Sequence, residues 1–137
     1  MAREDDVDVL ARTCYGEMRG QGMEGLHAVA NVVVNRVNSG ITWWGKGVQG
    51  VCQAPFQFSC WLANDPNLPQ IKSVDDQNPV FRDCIEVAKD AVDGLLEDIT
   101  NGATSYYADS MPEPPKWAIG KSPCATMAET LFFKDVL

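Results

Sequence analysis

The chain has 137 residues, 45% of them hydrophobic and 22% charged, and carries a net charge of −8. That length fits one domain able to bury about two-thirds of its unfolded surface, and the composition excludes a disordered or low-complexity chain. The acidic balance leaves no basic footprint for nucleic acid or an anionic membrane, and apolar runs such as Val32–Val34 are far too short to insert across a bilayer.

Three helices are predicted in chain order. Val7, Leu10, Ala11, Cys14 and Met18 recur at three- and four-residue intervals. At 3.6 residues per turn they make one apolar stripe on a helix from about Asp5 to Arg19, with Asp8, Arg12 and Arg19 turned away. A second helix begins near Met23 and ends at Asn38-Ser39-Gly40. Its stripe of Leu26, Val29, Ala30, Val33, Val34 and Val37 reads as that of a buried central helix. Asn78-Pro79, a capping residue followed by proline at the first helical position, announces the third. It is predicted to run through Phe81, Cys84, Ile85, Ala88, Val92, Leu95 and Ile99 to Asn101-Gly102. Between the second and third helices, residues 40–77 are expected to be irregular, with a helical turn near Val48 to Cys52; connections of this length usually wrap a site. After Gly102, the segments Ala103–Ala108, Lys116–Ile119 and Thr130–Lys134, separated by prolines, predict a small antiparallel sheet. The fold class is therefore α+β, mainly helical, in a single domain over residues 1–137.

The chemistry-bearing residues narrow the options further. One histidine cannot build a site of several imidazoles, so no metal or other cofactor is expected. The five cysteines, at 14, 52, 60, 84 and 124, contain no CxxC pair and are odd in number; free, mostly buried thiols are expected, although Cys52 and Cys60 bracket a loop that an oxidising compartment could bridge. The acidic opening Met1-Ala2-Arg3-Glu4-Asp5-Asp6 lacks the basic and apolar pattern of a secretory signal. A monomer made without an export signal of its own is the expectation.

Glu17 stands out. It lies seven residues after Leu10 and three after Cys14, and so borders the apolar stripe just before a glycine. A carboxyl pressed against apolar side chains loses hydration of its charged form, which raises its pKa from about 4.3 and lets it serve as a general acid. The alternative is a surface glutamate that bends out to water.

Several blocks then fall into a recognisable order. Leu10-Ala11-Arg12-Thr13, Tyr15-Gly16-Glu17, Arg19-Gly20, Gly25, Ala28-Val29, Val32-Val33 and Asn35-Arg36-Val37 are followed by Gln57-Phe58-Ser59-Cys60-Trp61, Asn101-Gly102-Ala103-Thr104, Tyr106 and Trp117-Ala118. This series resembles the SleB-like cell-wall hydrolases, known from spore-cortex lytic enzymes and phage endolysins. The resemblance implies a lysozyme-like, lytic-transglycosylase-like fold, so that residues 1–137 form one catalytic domain acting on bacterial peptidoglycan. It also implies that Glu17 is the catalytic acid, cleaving the β-1,4 bond between N-acetylmuramic acid and N-acetylglucosamine. In a lytic transglycosylase the same residue, once ionised, takes the proton of the muramyl 6-hydroxyl, and a 1,6-anhydro product closes. A hydrolytic muramidase adds a second carboxylate, about 5 Å away if retaining and 6.5 to 9.5 Å away if inverting. Asp65, Asp109 and Glu113 lie in loops and are the candidates. Many family members have an acid where this chain has Gln21, and others have histidines near Ser105, Tyr107 or Thr130, which this chain lacks.

Around Glu17, Gln57 and Ser59 are candidate hydrogen-bonding partners for the sugars, and Tyr106 and Tyr107 candidate ring faces and hydroxyls. Trp61 and Trp117 are read as core, His27 as structural, and Asn35 and Arg36 as braces, with an acid expected beside Arg36. A phage endolysin acting on the wall after release is the expected setting. Two other functions compete: a Cys14–His27 peptidase or amidase, and a wall-binding or virion structural protein without catalysis.

Overall fold

The computed structural model describes residues 2–55 and 57–136. Five α-helices come first: α1 (Ala2–Met18), α2 (Gly22–Ser39), α3 (Gly47–Cys52), α4 (Leu68–Ser73) and α5 (Pro79–Val92). A sheet of β1 (Ser105–Ala108), β2 (Ala125–Met127) and β3 (Thr130–Phe133) follows, antiparallel and in the order β1-β3-β2. Single 3-10 turns occupy Thr42–Trp44, Ser59–Trp61 and Lys116–Ala118. No helix among the described residues is long and apolar enough to cross a membrane.

The stripe of α1 is buried as its spacing requires: Val7, Leu10, Ala11, Cys14 and Met18 all lie in the main core. They meet Phe81, Cys84, Val87, Ala88 and Ala91 of α5 and Val51 and Cys52 of α3. Helix α2 is central, for it buries both sides. Leu26, Val29, Ala30 and Val33 belong to the helical core, while Ala28 and Val32 pack with Ala103 and with Phe132 of the sheet. Glycine ends it: Gly40 takes a left-handed φ of 73°, which stops the helix without a side-chain clash.

Helix α5 starts as expected, with the Asn78 side chain accepting from the Val80 and Phe81 amides at 2.9 and 3.1 Å. It ends sooner than its apolar spacing predicts. Gly94 turns left-handed at φ 75°, and the Leu95 amide reaches back to the Asp90 carbonyl at 2.8 Å, a closing bond that forces the chain off the helix axis. Leu95 is then exposed, and residues 97–102 lie along α2 instead. There His27 Nε2 and Asn31 Nδ2 both meet the Glu97 carbonyl, at 2.6 and 3.0 Å, so the one histidine is held by backbone.

The sheet also departs from the spacing. Lys116–Ala118 is a 3-10 turn, closed by the Ala118 amide on the Pro115 carbonyl at 2.9 Å. The third strand is Ala125–Met127, joined to β3 through Ala128 and Glu129. Both turn residues have positive φ, 50° and 54°, a two-residue hairpin turn normally marked by Asn-Gly. All five cysteines are unpaired, Cys52 and Cys60 included, and four are buried.

Candidate active site

Glu17 sits one residue before the end of α1, half-buried at the junction between helices and sheet. The neighbouring Gly16 is what lets the helix come so close to the connection beneath it. A Cβ there would stand 2.7 Å from Cys60 Cβ, 2.8 Å from Cys60 Sγ and 2.9 Å from Ile71 Cγ2, all tighter than real contacts. The turn at Ser59–Trp61 and helix α4 therefore press directly on the last turn of α1. Burial pushes the Cys60 thiol up, and the nearby Glu17 carboxylate pushes it further.

The sheet supplies the partner from the other side. Tyr106, on β1 opposite Phe132, donates its hydroxyl to Glu17 Oε1 at 2.5 Å, a short O–H···O bond. Burial pushes the Tyr106 phenol well above its ordinary value, and the Glu17 carboxylate raises it again, so the phenol keeps its proton and acts as the donor. Two cavities meet at this tyrosine. One, of about 280 Å³, is lined by Glu17, Gln21, Tyr106, Asp109 and Glu129. The other, of about 390 Å³, is lined by Arg36, Trp43, Gln57, Ser105, Tyr106 and Trp117.

Arg36 is buried, but the acid expected beside it is absent: among the described residues no carboxylate lies within ion-pair distance. Its guanidinium instead donates Nε to the Thr104 carbonyl at 2.6 Å and Nη1 to Gln57 Oε1 at 3.3 Å, between the rings of Phe58 and Trp44. Burial lowers its pKa, while Tyr106, Cys52 and Glu17 favour the charge. Asn35 braces the adjoining loop through the Asp98 carboxylate and the Ala103 carbonyl.

The structure places Glu17 and Gln57 in two different cavities that share Tyr106 as a lining residue. Ser59 is exposed and lines neither cavity. Tyr107 points to the opposite sheet face, as strand alternation demands, stacked on Phe133 at 5.5 Å and edge-on to Trp117 at 5.9 Å. Of the three loop acids, Asp109 enters the Glu17 cavity; Asp65 caps the Asn67 amide, and Glu113 is exposed outside both cavities. Sequence reasoning missed Glu129 and Trp43. Among the described residues no three His, Cys, Asp or Glu side chains are grouped closely enough to hold a metal ion.

The competing nucleophile does not assemble. Cys14 is fully buried, its thiol is pushed well up by that burial, and its Sγ donates to the Leu26 carbonyl, away from the backbone-bound His27. A neutral, sealed thiol is a poor attacking group.

Comparison with known proteins gives the family and the fold. The family model described as Cell Wall Hydrolase matches residues 20–133, a stretch that begins just after Glu17. The spore cortex-lytic enzyme of Halalkalibacterium halodurans is 32% identical over 104 residues, 76% of this chain and 27% of that enzyme. That of Bacillus subtilis is 40% identical over 55 residues, 40% of this chain and 17% of the enzyme. The chain thus spans about a quarter or less of these relatives' length. Among solved structures, the catalytic domain of the Bacillus cereus SleB protein superposes with a TM-score of 0.73 at 27% identity, covering 96% of this chain and 91% of that one. The catalytic domain of the germination-specific lytic transglycosylase SleB from Bacillus anthracis gives 0.71 at 26% identity, covering 94% and 93%. The lysozyme-like fold is that of the SleB catalytic domain.

Proposed function

The chain belongs to the cell wall hydrolase family, and from that premise we propose that it cleaves peptidoglycan glycan strands at the muramyl–glucosaminyl bond as a lytic transglycosylase, with Glu17 as its catalytic residue. The observation that carries this reading is the 2.5 Å bond from Tyr106 to a half-buried Glu17 at the meeting point of two cavities. Glu17 gives its proton to the glycosidic oxygen as the bond breaks, and positive charge develops on the departing ring. The ionised carboxylate left behind accepts the Tyr106 hydroxyl, which stabilises it before it takes the proton of the muramyl 6-hydroxyl. One carboxyl and one phenol suffice for both steps. The spore cortex glycan of the named relatives and the wall glycan met by an endolysin share this linkage; delivery as an endolysin is the setting expected from the sequence.

Mass spectrometry of digested, unreduced peptidoglycan tests the proposal. Anhydromuropeptides support it; reducing ends indicate hydrolysis, and freed stem peptides indicate an amidase. A Tyr106→Phe variant should lose about 10- to 100-fold in rate, the 1.5–3 kcal/mol of a hydrogen bond to a charged group, with the ring still packed on Phe132. Unchanged turnover in that variant would remove Tyr106 from the mechanism.

A hydrolytic muramidase is the second reading, favoured by the presence of Asp109 and Glu129 in the Glu17 cavity. The two schemes diverge on these acids. Under transglycosylation, Asp109→Asn and Glu129→Gln should each retain activity within about threefold, whereas losing a second catalytic carboxylate should cost on the order of 10²-fold. Initial rates of soluble muropeptide release decide between them.

A further inference from the structure

We propose that the cavity beside Tyr106 on the side away from Asp109 is a subsite for one N-acetylated pyranose, with Trp43 as its stacking surface and Arg36 as the donor to its acyl oxygen. This rests on the reading of the substrate as a wall glycan and specifies how one ring of it is held.

Trp43 carries the first half of the argument. It lies on the 3-10 turn Thr42–Trp44, is 61% exposed, and lines the same cavity as Trp117. A tryptophan this open contributes little to the core, and with Trp44 and Trp117 lining the same cavity it belongs to a contiguous apolar patch, the kind that marks a binding surface. Its position is nevertheless fixed. The adjacent Trp44 is only 6% exposed and anchors the turn, with the Arg36 guanidinium 5.5 Å from its ring centre. Gly45 then takes φ 102°, and a Cβ there would stand 2.3 Å from the Gly50 carbonyl oxygen, so the turn is locked backbone against backbone. The platform is preorganised without depending on the packing of Trp43 itself. The apolar face of a pyranose is the matching ligand surface.

Arg36 carries the second half. It is 7% exposed and lines this cavity. Of the five N–H donors of a guanidinium, two have acceptors among the described residues, and both acceptors are amide oxygens, Thr104 O and Gln57 Oε1. A buried cation without a carboxylate partner among the described residues calls for further acceptors. Glu17 lies in the neighbouring cavity, which shares Tyr106 with this one. Another amide oxygen, such as an acetamido carbonyl, continues the solvation pattern without adding an anion beside Glu17. Tyr106 lines both cavities, so a ring held here adjoins the bond offered to Glu17.

Calorimetric titration of the full chain carrying Glu17→Gln, which blocks turnover, tests this with tri-N-acetylchitotriose and cellotriose, two neutral β-1,4 trimers that differ in the acetamido group. The acetylated trimer should bind at least about tenfold more tightly, since a site built around a buried donor discriminates against a ligand lacking the acceptor. Adding Trp43→Ala should lower its affinity at least about tenfold with no fall in melting temperature, and Trp43→Phe should recover part of the loss. No binding of the acetylated trimer, equal binding of cellotriose, or an unchanged affinity in Trp43→Ala would each overturn the proposal. Trp43-dependent binding by a protein that leaves wall glycan whole would instead overturn the transglycosylase reading alone. Glycan cleavage with trimer binding indifferent to Trp43 would overturn only the subsite.

Discussion

Glu17→Gln is expected to lower glycan cleavage at least about 10²-fold while leaving the fold intact, because the amide keeps the shape of the side chain and removes its transferable proton. The substituted oxygen still accepts the Tyr106 hydroxyl, so the bond that ties β1 to α1 survives in geometry. What disappears is the ability to charge and discharge a proton in the cleft between the two cavities. Glu17→Asp makes the complementary case. It retains an acid but withdraws it toward α1 by one methylene, and a displacement of about 1 Å at the reacting group costs on the order of 10²-fold. Soluble muropeptide release from purified walls, read beside wall pelleting, separates catalysis from binding. Full lytic activity in the glutamine variant would return Glu17 to the status of a surface acid and favour a reaction centred elsewhere.

Gly16→Ala is expected to destabilise the protein and to impair catalysis together, although it sits inside a helix where alanine is ordinarily the better residue. The propensity gain is about 0.5–1 kcal/mol. Against it stand three contacts under 3.0 Å, with Cys60 and Ile71. Overpacking of this kind costs about 1–3 kcal/mol, and neither the Cys60 Cβ nor the branched Ile71 is the free end of a flexible chain. The clash therefore wins, and the melting temperature should fall by roughly 3–8 °C. Relief requires the last turn of α1 to lift from the Ser59–Trp61 turn, which carries Glu17 away from Tyr106. A melting curve and a rate measured on the same preparation test both halves; an unchanged melting temperature would show that the packing between α1 and the connection yields freely.

The helices were legible because burial writes a period into them. Leu10, Cys14 and Met18 on α1, and Leu26, Val29 and Val33 on α2, are spaced by the helical turn and all lie in the core. The overrun predicted for α5 came from Leu95 and Ile99, which continue the spacing by coincidence after Gly94 has turned the chain away. Strand β2 was missed because its turn is Ala128-Glu129, residues that do not signal positive φ, and because three residues are too few to show alternation. In the candidate site, Glu17 was proposed from its place on the border of a stripe, and Gln57 and Tyr106 from the chemistry of their side chains. Alternation along β1 separates Tyr106 from Tyr107, a distinction that needs to know which sheet face meets α1. Trp43 and Glu129 carry no periodic signal at all, since one sits on a three-residue turn and the other in the tip of a hairpin. That no described carboxylate pairs with Arg36 could be seen only once the elements around it were in place.

Four sulfhydryls sealed among α1, α3, α5 and the Ser59–Trp61 turn give this domain an unusual independence for one whose relatives work on cell envelopes. Burial pushes those of Cys52 and Cys84 up to about 12, so they offer almost no thiolate to an attacking oxidant. No cross-link has to form for the chain to fold, and no reductant can loosen what is already held by packing. Packing rather than a cross-link holds these four positions, so a change of redox poise finds little to act on there.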